Sequence, residues 1–357
     1  MNPMRKTLSL LLSACLCLSL AACGQSAGQS GSQQTGGSQQ AGSTQNGSAQ
    51  RGELQKITLC LDWTPNTNHT GFYVAQALGY YEENGLDVEI VQPPEDGATA
   101  LCAAGQCEFA ITVQDSLASA FSRTDPLPVT AVAALLQHNT SGIIAVAGEG
   151  MDHPAGLEGH NYATWNSPIE LAMMEYVVAQ DGGDFSNVEL IPNSITDEAG
   201  AIETRQADSI WVYYGWGCIN AELRGVPFDF FYFRDYAPEL DYYTPVIIAN
   251  NDFLSANPDV AKRMLEATKR GYEYAIENPE EAAQMLIDGD TTGSLKGSEE
   301  LVVASQKWMC DQYKAEVEQW GYIDPARWDG FYQWLSDNGL CEIPIGAGVG
   351  FSNDYLS

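Results

Sequence analysis

The sequence predicts an α/β protein of two lobes, each a mostly parallel sheet flanked by helices. Three observations carry this. Between residues 56 and 135, short apolar strand-like runs alternate with segments of helical periodicity, the pattern of strands covered by crossover helices. The alternation restarts at residue 141 and continues to 233. The C-terminal third is mostly helical and reads as a tail packing back on the first lobe. A body of roughly 300 residues is large enough for such a pair.

In order, 56–61 predicts a strand and 69–80 a helix with apolar Phe72, Val74, Ala75 and Leu78. Gly85 turns the chain into an alternating strand to Val91. A small-residue helix over 97–104 ends at Gly105, and 109–113 is a buried strand. Asp115 or Ser116 is placed to cap a helix to Phe121, and 129–135 is a strand. The second unit opens with strands at 141–147 and 161–165. In Ser167-Pro168-Ile169-Glu170, the N-cap serine, first-turn proline and third-position glutamate form a capping box. Its helix runs to about residue 179 and ends near Gly182-Gly183. There follow a strand (188–191), a helix (198–205), a strand (209–214), a helix (218–223) stopped by Gly225, and a strand (228–233). Asn257-Pro258 and Asn278-Pro279 start helices to about residues 276 and 286, and 301–313 and 327–338 supply two more.

Before the body, Arg5 and Lys6 precede an apolar run over 8–20 that is too short to span a ~30 Å bilayer. With the small residues that follow, this is a secretory signal. Leu20-Ala21-Ala22-Cys23-Gly24 resembles a bacterial lipobox, which implies that Cys23 becomes an acylated first residue and a lipid anchor. Residues 24–50 hold only Gly, Ser, Gln, Thr, Ala and Asn. Such a segment buries too little surface to order itself and predicts a tether reaching about 30 Å.

The formal charge is −31. That argues against nucleic acid, which needs clustered Lys and Arg, and against long-range steering of anions. Of nine cysteines, Cys15 and Cys17 leave with the signal and Cys23 is lipidated. Cys60, Cys102, Cys107, Cys218, Cys310 and Cys341 remain, with no C-x-x-C or Cys/His spacing of a metal site. Cys102 and Cys107 sit about 140° apart if both lie on one helix, an awkward phase for pairing. Export permits disulfides, but these spacings favour buried free thiols.

Ligands of open parallel sheets bind beyond the carboxyl ends of the strands. Those positions hold Asp62-Trp63-Thr64-Pro65-Asn66-Thr67-Asn68-His69, then Gln114-Asp115-Ser116, Gln137-His138-Asn139-Thr140, Trp165-Asn166-Ser167 and Tyr213-Tyr214-Gly215-Trp216. Aromatic faces with amides and a few carboxylates suit a flat, polar, largely uncharged ring. Trp63 and Trp165 either touch such a ligand or pack the lobes, and Asp62 and Asp115 either touch it or cap turns. Helix N-termini at His69, Ser116 and Ser167 would take an anion without a basic side chain. From Lys56 on, the G-x-S-x-G elbow, H-E-x-x-H, P-loop and dinucleotide fingerprint are all missing.

Leu61-Asp62-Trp63-Thr64-Pro65-Asn66-Thr67-Asn68-His69-Thr70-Gly71, with Gly79-Tyr80-Tyr81 and Gly85-Leu86-Asp87-Val88, resembles the opening of type II periplasmic binding proteins. The branch is the one that binds thiamine-pyrimidine precursors, related to alkanesulfonate binders and the yeast pyrimidine synthase. Gln137-His138-Asn139-Thr140-Ser141-Gly142, Tyr214-Gly215-Trp216 and Asp241-Tyr242-Tyr243-Thr244-Pro245-Val246 extend the likeness from about Lys56 to the C-terminus. Beyond the signal at 1–22 and the tether at 23–54, it implies a first lobe at 55–138 and 244–357, and a second at 139–243. It also implies a monomeric, non-enzymatic, cofactor-free receptor that hands a small solute to an ABC permease at the outer membrane face. The solute would be an aminopyrimidine of the hydroxymethyl or formylamino type, held by Asp62, Trp63, Asn66, His69, Gln114, Asp115, Asn139, Trp165, Ser167, Tyr214 and Trp216. A receptor for a sulfonate or riboflavin, or an exported pyrimidine-synthase-like enzyme, are the alternatives. The synthase's cysteine-rich iron motif has no match in Cys102-Ala103-Ala104-Gly105-Gln106-Cys107.

Overall fold

The computed structural model describes residues 53–356. The expected signal, Cys23 and nearly all of the tether lie outside them. The first lobe begins with β1 (Gln55–Cys60), α1 (Thr70–Ala77), α2 (Tyr80–Glu83), β2 (Leu86–Val91), α3 (Ala98–Ala103), β3 (Phe109–Thr112), α4 (Gln114–Phe121) and β4 (Val129–Ala134). The second holds β5 (Ser141–Val146), β6 (Asn161–Thr164), α5 (Pro168–Gln180), β7 (Glu189–Pro192), α6 (Glu198–Glu203), β8 (Ser209–Tyr213), α7 (Ile219–Arg224) and β9 (Phe228–Tyr232). The chain then returns through β10 (Val246–Asn250), α8 (Asn251–Ala256), α9 (Pro258–Glu277), α10 (Pro279–Gly289), α11 (Glu299–Lys314) and α12 (Pro325–Asp337).

Each lobe carries a five-stranded sheet, ordered β2-β1-β3-β10-β4 in the first and β7-β6-β8-β5-β9 in the second. Four strands of each run one way, and β10 or β5 runs against its two neighbours. The reason is connectivity. These two strands enter their sheets directly from the crossings between the lobes, with no helix to carry the chain back to the amino edge. They therefore start at the edge where their neighbours end.

β10 was not among the expected strands, because Val246–Asn250 follows a proline and lacks alternation. Every residue of it is buried, as befits a central strand covered on both faces. α8 was missed with it; Asn250 caps it by accepting from the Asp252 and Phe253 amides. The expected helix over 69–80 is broken into a 3-10 turn (Thr67–His69), α1 and α2, with Gly79 at φ 73° between the two helices. α4 starts at Gln114 with Val113 as its N-cap, so neither Asp115 nor Ser116 caps it. Cys107 lies beyond the end of α3, so the helical-phase argument does not apply to it. All six body cysteines are free.

The tail packs through α9 on α1. A Cβ on Gly71 would fall inside the Tyr272 ring, and one on Gly271 would fall 2.0 Å from Gly71 O. Two glycines thus let the helix backbones meet. α12 also reaches the second lobe, where Trp334 packs on Tyr176 of α5 at 5.3 Å. No helix among the described residues is long and apolar enough to cross a membrane.

Candidate functional site

The loop after β1 is braced from within. The His69 ring is buried; its Nδ1 accepts the Asn66 amide (3.3 Å), which leaves Nε2 to donate to Asp62 Oδ1 (2.8 Å). Asn66 Oδ1 accepts the Asn68 amide at 2.9 Å, and its Nδ2 donates to Thr64 O at 3.0 Å. The tight loop pushes the Trp63 indole outward, where it is 70% exposed. Across the molecule, Trp165 follows β6 and is 57% exposed, its ring meeting Trp211 edge-on at 6.2 Å. Glu170 fixes that loop by accepting the Trp165 and Ser167 amides (3.1 Å each) and the Tyr162 hydroxyl (2.7 Å). Ser167 completes the expected capping box and is exposed.

Gln114 and Asn139 are wholly buried, and both amide ends of each are occupied. Gln114 donates to Trp328 O (2.9 Å) and accepts the Tyr243 amide (2.9 Å). Asn139 donates to Leu240 O (2.9 Å) and accepts the Ser141 amide and hydroxyl (2.9 and 2.7 Å). Both join the crossing at 241–245 to its surroundings. Beside them His138 bridges two carboxylates, Asp241 through Nδ1 at 2.7 Å and Glu316 through Nε2 at 2.8 Å. Arg327 lies 3.6 Å from Asp241 and 3.4 Å from Glu316. The hydrogen bond to Asp241 raises the His138 pKa; burial opposes that, and Glu316 adds to it.

Tyr214 and Trp216 are placed differently from Trp63 and Trp165. The π-turn Tyr214–Cys218 docks on α11, with Tyr214 stacked on Trp308 at 5.4 Å and its hydroxyl donating to Glu222 at 2.6 Å. Trp216 packs against the apolar core that holds α9 and α11. The Ser305 hydroxyl donates to Gly215 O, and a Cβ on Gly215 would sit 2.8 Å from the Trp308 ring. These aromatics join the second lobe to the tail.

Asp115, at the first turn of α4, has an Oδ1 sealed from solvent without a hydrogen-bond partner. Burial pushes its pKa up to about 6, against its own amide and that of Ser116. Tyr213 is a further candidate that the expected ligand set omits. It is 40% exposed at the end of β8, and its hydroxyl accepts from Thr244 Oγ1 at 3.3 Å. The signal was present: Tyr213 lies two residues from Trp211, on the same face of the strand. Among the described residues, no group of three or more His, Cys, Asp and Glu is arranged to hold a metal ion.

Residues 66–282 match the family model described as NMT1/THI5 like. The chain belongs to the NMT1/THI5-like family. A formylaminopyrimidine-binding protein of Halalkalibacterium halodurans is 30% identical over 309 residues, covering 84% of this chain and 90% of the relative. A 4-amino-5-hydroxymethyl-2-methylpyrimidine phosphate synthase of Saccharomyces cerevisiae is 27% identical over 251 residues, covering 65% and 71%. The relatives of this chain thus include a protein named as a binder and proteins named as enzymes. Among solved structures, the alkanesulfonate-binding protein SsuA of Xanthomonas axonopodis pv. citri superposes with a TM-score of 0.62 at 10% identity, covering 85% of this chain and 99% of that one. That likeness establishes the two-lobed periplasmic binding protein fold for this NMT1/THI5-like chain.

Proposed function

We propose that this NMT1/THI5-like protein is the extracytoplasmic receptor of an ABC importer and binds an aminopyrimidine thiamine precursor between its lobes. The observation that carries the reading is the pair of exposed indoles. Trp63 and Trp165 stand at strand carboxyl ends of different lobes, each on a loop braced by partly buried hydrogen bonds. Exposed aromatic rings on rigid loops are ready-made stacking faces for a flat heterocycle. Asp62, Asp115, Asn66 and Tyr213 supply polar groups nearby, and Ser167 with its helix start faces solvent. Gln114, Asn139 and His69 shape the site through their neighbours. The relative named for formylaminopyrimidine supports the ligand class.

A sulfonate is disfavoured by the charges. The loops after β1, β3, β4, β6 and β8 carry no Lys or Arg. Arg234, after β9, donates to Asn139 O at 3.1 Å and covers the Tyr232 ring at 4.5 Å. In this reading 55–138 with 244–357 and 139–243 close as rigid lobes about the two crossings. Cys23 carries the lipid, the tether keeps a monomeric receptor beside its permease, and no cofactor is needed. The family's synthases give a second reading, an exported enzyme. Calorimetry of the purified protein with formylaminopyrimidine, thiamine, riboflavin and taurine decides the ligand. Heat with the pyrimidine alone is the expected result; silence with it, or turnover with bound iron, defeats the receptor reading.

A further inference from the structure

The two crossings and the tail meet at one imidazole ring. His138, on the first crossing, has Nδ1 2.7 Å from an oxygen of Asp241 on the second and Nε2 2.8 Å from an oxygen of Glu316, between α11 and α12. An ionised carboxylate only accepts, so each ring nitrogen must carry a proton, and the geometry calls for the imidazolium. Arg327, in the first turn of α12, is the second cation of the cluster. It lies 3.6 Å from Asp241 and 3.4 Å from Glu316, and it also donates to Gln137 O. Arg234, which donates to Asn139 O at 3.1 Å, and Tyr243, whose ring lies 5.4 Å from the Arg327 guanidinium, flank the group. With the ring protonated, His138 and Arg327 balance Asp241 and Glu316. With it neutral, one cation is left for two anions and one ring nitrogen has no proton to give. Glu316 is the partner that lets go, because its side chain is 58% exposed. Asp241 is 18% exposed and is held further by the Asn139 amide at 2.9 Å.

We propose that His138 is a proton-operated latch on the hinge. Protonated, it pins both crossings to the tail and slows the turning of the lobes; loss of one proton frees Glu316 and speeds it. The inference rests on the lobes turning about the two crossings, and not on which solute is bound. Bending of the first crossing moves His138 against the tail, and bending of the second moves Asp241 against His138 and Arg327. A joint held by charge-assisted hydrogen bonds on both sides must break one of them to bend. The hydrogen bond to Asp241 raises the ring's pKa, so the latch works above the ordinary imidazole value of 6.5 and opens as pH climbs through the raised one. The proton passes to solvent and returns from it.

The test is amide hydrogen exchange of the ligand-free protein, wild type against His138→Gln, which keeps a donor but no titrating charge. The reporters are the Gln137 amide, bonded to Gln312 O in the tail at 3.2 Å, and the Asn139 amide, bonded to Asp241. At about pH 6 both should exchange about tenfold more slowly in the wild type, beyond any difference in the core amides of β3 and β8. That gap should close as pH rises through the folded imidazole value. Glu316→Gln should close most of it at the acid end with His138 intact. Release of bound 4-amino-5-hydroxymethyl-2-methylpyrimidine, followed by tryptophan fluorescence, should quicken over the same window relative to His138→Gln. A ratio of wild type to variant that stays constant with pH, in exchange or in release, overturns the latch. So does a nitrogen-15 spectrum showing one unprotonated His138 nitrogen at about pH 6. A protein that binds no pyrimidine overturns the receptor reading, and amide exchange then decides the latch alone.

Discussion

The exposed tryptophans separate binding from stability more cleanly than any other pair in the molecule. Each keeps a large apolar face in water, so truncation removes little buried surface. Trp63→Ala and Trp165→Ala should each weaken pyrimidine binding by about 10- to 100-fold, from the ~1–3 kcal/mol of a stacked ring, with Tm nearly unchanged. Titration calorimetry beside a melting curve checks this; a large fall in Tm would make them packing residues. His69 is the opposite case. Its ring is buried between Asp62 and the Asn66 amide, so His69→Ala should cost about 2–3 kcal/mol, read by urea denaturation. The aromatic and acidic character of these loops was legible from their places after strands. The partners of Gln114 and Asn139 were not, because Trp328 and Leu240 lie far along the chain. A buried glutamine in a bond network and one facing a ligand look identical in sequence.

Most helices and strands were legible because their signals are local. Capping boxes, first-turn prolines and terminal glycines act within a few residues, and the helix from Pro168 begins where its serine, proline and glutamate place it. β10 was illegible because its identity is set by neighbours, not by its own pattern. It forms between β3 and β4, which precede it by more than a hundred residues. The turn at Tyr214–Cys218 shows the same limit, since its aromatics are recruited by α11. Gly215 marks that contact. Gly215→Ala should force the turn off Trp308 and Met309, at a cost of about 1–3 kcal/mol, and loosen the second lobe from the tail. Denaturation and solvent quenching of tryptophan fluorescence would register it; a neutral effect would mean that the turn yields without loss.

At the scale of the whole molecule, two titrations with separate pH windows act on stability. The His138 pKa is raised in the folded state by Asp241 and Glu316, so its contribution is fully present below about 6.5 and fades as pH rises through the folded value. Asp115 is an acid whose folded pKa is raised from 3.8 to about 6 by burial. Its neutral form favours the fold at low pH, and that help fades between those values as the chain is made more alkaline. Relative to His138→Gln, the wild-type denaturation midpoint should therefore lose its advantage as pH rises above about 6.5, and relative to Asp115→Asn it should lose it between 3.8 and about 6. A wild-type advantage over His138→Gln that does not change with pH would place its origin elsewhere. The two-lobed plan itself was legible, because the α/β alternation stops and restarts; the bracing of its crossings by charge was not.

The strands that enter from the crossings also impose an order on the assembly of the chain. As synthesis proceeds from the N-terminus, β1 to β4 are made first, yet β4 has no neighbour in its own sheet until β10 arrives. The sheet of the second lobe needs only residues between Ser141 and Tyr232 and can close while the first remains half built. The lobe begun first is thus finished last, and in the interval β3 and β4 expose unpaired edges. A chain halted before Val246 would carry one completed sheet and one split in two, the form of this molecule most in need of a chaperone.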